Sequence, residues 1–206
     1  MRARIVEAAL LALVKDGYAN TSARTIAATG GFSAALVFYH FGSLDALLLT
    51  ALDHVSAERL TRYRARLEGV STIGDLAAGM QELYVEDQQD GYLTAVQEIV
   101  AGMAFDRQLG IEIVSRMQPW VDFGESLTET LLAGSPLRAL IDPSVVGTAA
   151  IALYLGLEIV ARMRGGDANG SAELMAALTQ AAPLIDAVLG KRRGPRQGRP
   201  TRIPLQ

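Results

Sequence analysis

The sequence predicts an all-α chain of about nine helices, and three observations carry that expectation. Apolar residues recur at three- and four-residue spacing, no alternating run is bounded by turn residues, and glycine or Ser/Thr/Asp signals punctuate the helical segments. Of the 206 residues, 50% are hydrophobic and 20% charged, which suits a packed core and excludes a disordered chain. The length exceeds what a single small helical unit needs, so a small N-terminal module and a larger domain with its own core are expected.

The elements follow in order. A first helix, about Arg2 to Asp16, sets Ile5, Ala8, Ala9, Ala12 and Leu13 on one face and stops at Gly17, which can take a positive φ. Thr21 or Ser22 can N-cap a short second helix carrying Arg24, Ile26 and Ala27, and Gly30-Gly31 ends it. Ser33 caps a third helix that runs to about Tyr39 and breaks near Gly42. Ser43 opens a long fourth helix through Leu47, Leu48 and Leu52 to about Leu67. Thr72 with Asp75 resembles a capping box that starts a fifth helix ending near Asp90-Gly91, and a sixth spans about Leu93 to Met103. The seventh, about Asp106 to Ala133, contains Pro119, whose missing amide hydrogen predicts a kink. Asp142 followed by Pro143 starts an eighth helix to about Arg164, and the ninth covers about Ser171 to Leu189.

The charge is unevenly distributed. Net charge is −3, yet the last segment, Lys191 to Gln206, holds six basic residues and no acid. Residues 1–190 thus carry 13 basic against 22 acidic residues, a net −9. An acidic body opposes broad adhesion to nucleic acid, so any such contact must be local and directed. The Pro-, Gly- and Arg-rich tail reads as a disordered terminus, with a secondary phosphate contact as the alternative. Having no cysteine, the chain has no disulfide, thiolate metal site or cysteine nucleophile. Glu7, Lys15 and Asp16 spoil a secretory signal at the start. The longest uncharged apolar stretch, Pro143 to Leu157, is 15 residues, short of the roughly 20 that span a membrane, so a buried helix in a cytoplasmic protein is expected. An enzyme is disfavoured because the only histidines are His40 and His54, with no phosphate-binding glycine loop and no metal-ligand spacing. No cofactor is expected.

The segment with a specific spacing is TSARTIAATGGFSAALVFYHF, Thr21 to Phe41. Two helices crossing steeply over a short turn need a small residue at the crossing, a glycine in the turn and apolar residues that lock the second helix down. Ala27, Gly31, Phe32 and Val37 supply these. In such a unit the second helix enters the major groove with its N-terminal turn against base edges, which makes Ser33 to His40 the candidate reader.

Over about 50 residues from Arg2 the chain resembles the TetR/AcrR family of transcriptional regulators. The resemblance rests on Thr21-Ser22, Arg24, Ile26-Ala27, Gly31-Phe32-Ser33, Phe38-Tyr39-His40-Phe41, Ser43-Leu44 and Leu47. It implies a helix-turn-helix DNA-binding domain at 1–45, a ligand-binding and dimerisation domain at 46–190, and a tail at 191–206. It also implies DNA contacts from Ser22, Arg24 and Thr25, from Ser33, Ala34, Ala35 and Leu36, and from Tyr39, His40 and Ser43. An alternative for His40 is packing against the first helix. The chain departs from the family at Phe38, Ala34 and Leu44, where a tyrosine and two lysines are usual. Fewer phosphate contacts predict modest non-specific binding and a shallow salt slope, with Arg24 as the main cation. Ala34, Ala35 and Leu36 favour thymine methyl contacts and DNA shape over hydrogen bonds to bases.

Past the motif, Met80, Tyr84, Met103, Met117, Trp120, Phe123 and Tyr154 offer an adaptable apolar wall for a small, largely apolar ligand, or else an ordinary core. Glu158 interrupts an apolar helix; buried, it would favour a cationic or hydrogen-bond-donating ligand, and a surface or interface position is the alternative. Gln97 and Glu98 carry the same two readings. Ala149, Leu153 and Gly156 on the eighth helix, with Leu174, Leu178, Ala181 and Ile185 on the ninth, make stripes suited to a twofold four-helix interface. A homodimer on a palindromic operator follows from that arrangement and from the resemblance; release by a small molecule is the expected response, with promotion of binding left open. The group Arg59, Arg62, Arg64 and Arg66 reads as a solvated face beside Glu58 and Glu68. The competing reading is a helical ligand-binding or scaffold dimer whose DNA-binding head has degenerated.

Overall fold

Side chains next to the first amides of the helices define where several of them begin. Ser22 Oγ accepts from the Thr25 amide while Thr25 Oγ1 accepts from the Ser22 amide at 2.8 Å, a reciprocal box. Ser43 Oγ accepts from Ala46 N at 3.0 Å, and Asp106 Oδ1 from Gln108 N and Leu109 N. Each such cap is worth about 1 kcal/mol. At Thr72 the box is only half made: Thr72 Oγ1 accepts from Asp75 N, but the Asp75 carboxylate takes the Thr72 hydroxyl at 2.7 Å.

The computed structural model describes residues 1–103, 106–163 and 169–191, and of these the backbone alone at 88–90, 92, 157–158, 161–162 and 169–175. The basic tail reading therefore lies almost wholly outside the described residues. Among the described residues the order is α1 (Arg2–Asp16), a 3₁₀ turn (Tyr18–Asn20), α2 (Ala23–Gly30), α3 (Ala35–Phe41), α4 (Leu44–Arg66), α5 (Ile73–Asp90), α6 (Tyr92–Met103) and α7 (Arg107–Leu132). A second 3₁₀ turn (Pro136–Ala139), α8 (Pro143–Met163) and α9 (Asn169–Val188) complete it, with no strand. The expected all-α class is what the structure has. Both 3₁₀ turns are additions that periodicity did not reveal, because a three- or four-residue turn has no repeat to read. α7 runs as one helix through Pro119, and Pro183 sits likewise inside α9.

Two cores organise the molecule. The first gathers Ile5, Leu13, Ile26, Val37, Leu47 and Leu52 from α1 to α4 with Ile99 and Met103 from α6, all at most 2% exposed. Gly31, at φ 65°, closes α2 in the left-handed region and lets the chain turn into α3. The second core joins Tyr63, Leu67, Val70, Leu83 and Leu131 from α4, α5 and α7 and the loop after α4. α7 and α8 approach closely where Gly124 faces Gly147: a Cβ on Gly124 would come within 2.9 Å of the Gly147 Cα. Gly147 is thus used within the subunit, against α7.

Candidate functional site

The α2–turn–α3 unit is held from behind by α1. Arg4 Nη2 donates to the Gly30 carbonyl at 2.6 Å, Arg2 Nη1 donates to the His40 carbonyl, and the Arg2 guanidinium lies 4.4 Å over the Phe41 ring. Val37 points fully into the core, so the opposite face of α3 stays outward. That face presents Ala35, Phe38 and Tyr39, the last 81% exposed, with Ser33 exposed just before it and Arg24 exposed on α2. Ala34, Leu36 and His40 are half-buried; Leu36 packs on the first core, and the His40 ring stands edge-on to Tyr39 at 5.0 Å. Ser22 and Thr25 are half-buried within their capping box, and Ser43 is exposed as the cap of α4.

Below the head a cavity of about 670 Å³ lies between α4, α5, α6, α7, α8 and α9. Met80, Met117, Trp120, Phe123 and Tyr154 line it, as the wall of methionine and aromatic residues anticipated. Tyr84 and Met103 do not: Tyr84 is buried away from the cavity, and Met103 sits in the first core with no exposure. Helical spacing marked both as inward-facing, which is common to a cavity wall and a solid core. Leu153, Leu178 and Ile185, read from sequence as interface residues, also line the cavity. Ala149 and Ala181 are exposed and Gly156 is half-buried, while the side chains of Glu158 and Leu174 lie outside the described residues.

The polar centre of this domain was missed. Arg59 is not part of a solvated face: it is 5% exposed and lines the cavity. Its Nε donates to Asp87 Oδ1 at 3.0 Å and its Nη2 to Asp87 Oδ2 and to the Tyr154 hydroxyl. Tyr63 donates to Asp87 Oδ2 at 2.7 Å, Tyr154 donates to the same oxygen at 3.2 Å, and Arg62 Nη2 donates to Oδ1 at 3.2 Å. Asp87, 1% exposed, therefore accepts from four side chains. Arg64 and Arg66 do lie on the solvated side, Arg66 paired with Glu82. A signal existed: Leu52, Ser56, Arg59 and Tyr63 follow the inward three- and four-residue rhythm of α4.

Burial works against the charged form of Arg59, but Tyr154 and Asp87 hold its pKa above the ordinary value, so the group stays a guanidinium. Burial, then the Asp87 charge, pushes the Tyr63 hydroxyl up to about 12, and burial chiefly raises that of Tyr154. Both phenols are therefore neutral donors at pH 7.

α6 touches both regions. Leu93 and Val96 line the cavity, Ala95 and Ile99 belong to the first core, and Glu98 Oε2 accepts from Tyr18 N at 2.7 Å directly after α1. Of the two roles left open for Glu98, the described contact is with the head. α8 exposes Val145 and Met163, and Leu153, Leu184 and Val188 of α8 and α9 are exposed where they border the cavity. No single helix among the described residues is long and apolar enough to cross a membrane.

A two-helix hook whose second helix turns its outer face to solvent, carried on further helices, has the arrangement of a helix-turn-helix unit. Residues 5–51 match the family of bacterial regulatory proteins, tetR family, so that the head of this chain is similar to the N-terminal domain of those transcriptional regulators. That family is a class of regulators, not of enzymes. Solved structures share the fold. The fatty acid degradation regulator FadR from Bacillus halodurans is 12% identical with a TM-score of 0.73, covering 88% of this chain and 93% of its own. FadR from Bacillus subtilis, solved in complex with stearoyl-CoA, is 12% identical with a TM-score of 0.71 and coverages of 88% and 97%. A TetR-family regulator from Rhodococcus sp. is 20% identical with a TM-score of 0.70 and coverages of 88% and 97%. No curated protein matches the sequence significantly.

Proposed function

We propose that the chain is a cytoplasmic repressor that binds a palindromic operator as a homodimer and is released by a small, largely apolar molecule held in the cavity. The observation that carries this reading is the position of α6, which lines the cavity at Leu93 and Val96 and bonds the head through Glu98. A ligand that changes the packing of α6 and α4 changes the spacing of two recognition helices, which must match successive major grooves about 34–36 Å apart. The stearoyl-CoA complex of the Bacillus subtilis neighbour is in keeping with an apolar occupant. The exposed apolar residues of α8 and α9 support a twofold interface there.

On DNA, Arg24 supplies the phosphate contact from α2, while Ser33, Ala34, Ala35 and Leu36 face bases and Tyr39, His40 and Ser43 meet the backbone. With few cations on this face, half-sites rich in T are expected. Selection of bound duplexes from a random pool tests DNA binding, palindromy and half-site spacing together; recovery of no enriched sequence would sink the reading. Arg24→Ala should weaken binding to the selected site and reduce the slope of log affinity against log salt by about one. Linkage further requires the selected duplex to weaken ligand affinity by the same factor by which ligand weakens DNA binding.

A further inference from the structure

The cavity is apolar over nearly all its wall, and three of its polar side chains lie on one strip of α4. Ser56, Arg59 and Tyr63 occupy successive turns of the same helix face. The rings of Tyr63, Trp120 and Tyr154 stand 5.8, 5.8 and 5.9 Å from the Arg59 guanidinium carbon and enclose it. Two of the three guanidinium nitrogens, Nε and Nη2, are engaged by Asp87 and Tyr154, whereas Nη1 has no hydrogen-bond partner among the described residues. Arg59 lines the cavity and this nitrogen keeps accessible surface, so it is free to donate to an acceptor placed there. One turn away, Ser56 Oγ accepts from Trp120 Nε1 at 2.6 Å, which leaves the serine proton to donate. Among the described side chains the carboxylate nearby is already used: both Asp87 oxygens are taken by Arg59, Arg62, Tyr63 and Tyr154. The strip therefore offers two donors beside a fixed positive charge.

Building on the ligand-responsive reading above, we infer that the cavity selects an apolar molecule carrying one hydrogen-bond-accepting oxygen group, a carboxylate or a carbonyl, seated against Arg59 Nη1 and the Ser56 hydroxyl. The apolar body lies along Met80, Met117, Phe123 and Leu127. A cationic head is disfavoured, since it would meet a fixed guanidinium with no carboxylate oxygen to spare among the described side chains. This is the opposite polarity from the one that a buried Glu158 would have favoured.

The test uses the full chain and its sole tryptophan, Trp120, which lines the cavity beside Arg59. Dodecanoate, 2-dodecanone and dodecylammonium, each below its aggregation concentration, are titrated while Trp120 emission is followed. The two oxygen-bearing probes should bind saturably and at least about tenfold more tightly than the ammonium, a 1.4 kcal/mol preference. Their order relative to each other tells carboxylate from carbonyl. In Arg59→Met/Asp87→Leu, which removes the buried charges together, the preference should disappear; a preference that survives in the folded double variant overturns the assignment. Should that variant fail to fold, Ser56→Ala provides a second measure. It should weaken the oxygen-bearing probes several-fold and leave dodecylammonium unchanged, and an equal effect on all three overturns the inference. Tighter binding of dodecylammonium to the wild type overturns the head-group assignment and leaves the ligand-responsive reading standing. If neither these probes nor the neutral dye Nile red binds, both fall.

Discussion

The buried residues of the first core, where α1 to α3 and the start of α4 meet α6, are all apolar, whereas the second half of α4 carries Arg59 and Tyr63 into a cluster with Asp87 beside a cavity of about 670 Å³. One helix thus serves two interiors built on different physics. In the head the interior is apolar, and polar side chains such as Arg2, Arg4 and Glu98 bond backbone groups around it. In the body, a void and a desolvated ion pair coexist, and the pair holds only because each buried oxygen and most of the donors find partners. Stability resides in the first arrangement and selectivity in the second.

That contrast can be broken most sharply at Asp87. Asp87→Ala strands Arg59 in an apolar surrounding and should cost about 3–5 kcal/mol in urea unfolding; a loss below about 1 kcal/mol would mean that the cluster is already hydrated. In the head, Leu13→Ala removes a fully buried side chain and should cost about 2–5 kcal/mol by cavity formation alone, with no dependence on pH. The body, by contrast, should respond to alkali. Burial and the Asp87 charge push the folded Tyr63 hydroxyl up to about 12 from the ordinary tyrosine value near 10, so the unfolded chain releases its proton first. Its contribution is complete below pH 10 and is lost as pH rises towards 12, amounting to about 2–3 kcal/mol. Tyr63→Phe should flatten that part of the stability profile, and an unchanged slope would refute the coupling. The smallest effect belongs to the head's surface: Ser22→Ala removes the reciprocal cap of α2 and should cost about 1 kcal/mol, read as a lower melting temperature.

The two regions also differed in how much could be read in advance. Ser22, Gly31, Ser33 and the Phe38 to Phe41 run lie within 20 residues of one another, and local rules of capping, turning and helical repeat act over that distance. The head's helices and the exposure of Arg24 and Tyr39 were legible for that reason. In the body the helices themselves were equally legible, but not the roles of their residues. Tyr84 and Met103 have the same inward spacing as Met80 and Met117, yet only the latter pair borders the cavity. Arg59 looked like one member of a charged run because its partner, Asp87, is 28 residues away and Tyr154 is 95.

The amino-acid order by itself determined the α-helices among the described residues and most of their caps, since each depends on φ/ψ preferences and on hydrogen bonds between near neighbours. Which inward-facing positions pack solidly, which border a void, and which arginine is buried were decided only when α4, α5 and α8 came together. Desolvating a charge is favourable only if a specific partner arrives from a distant part of the chain, and no local pattern encodes that arrival.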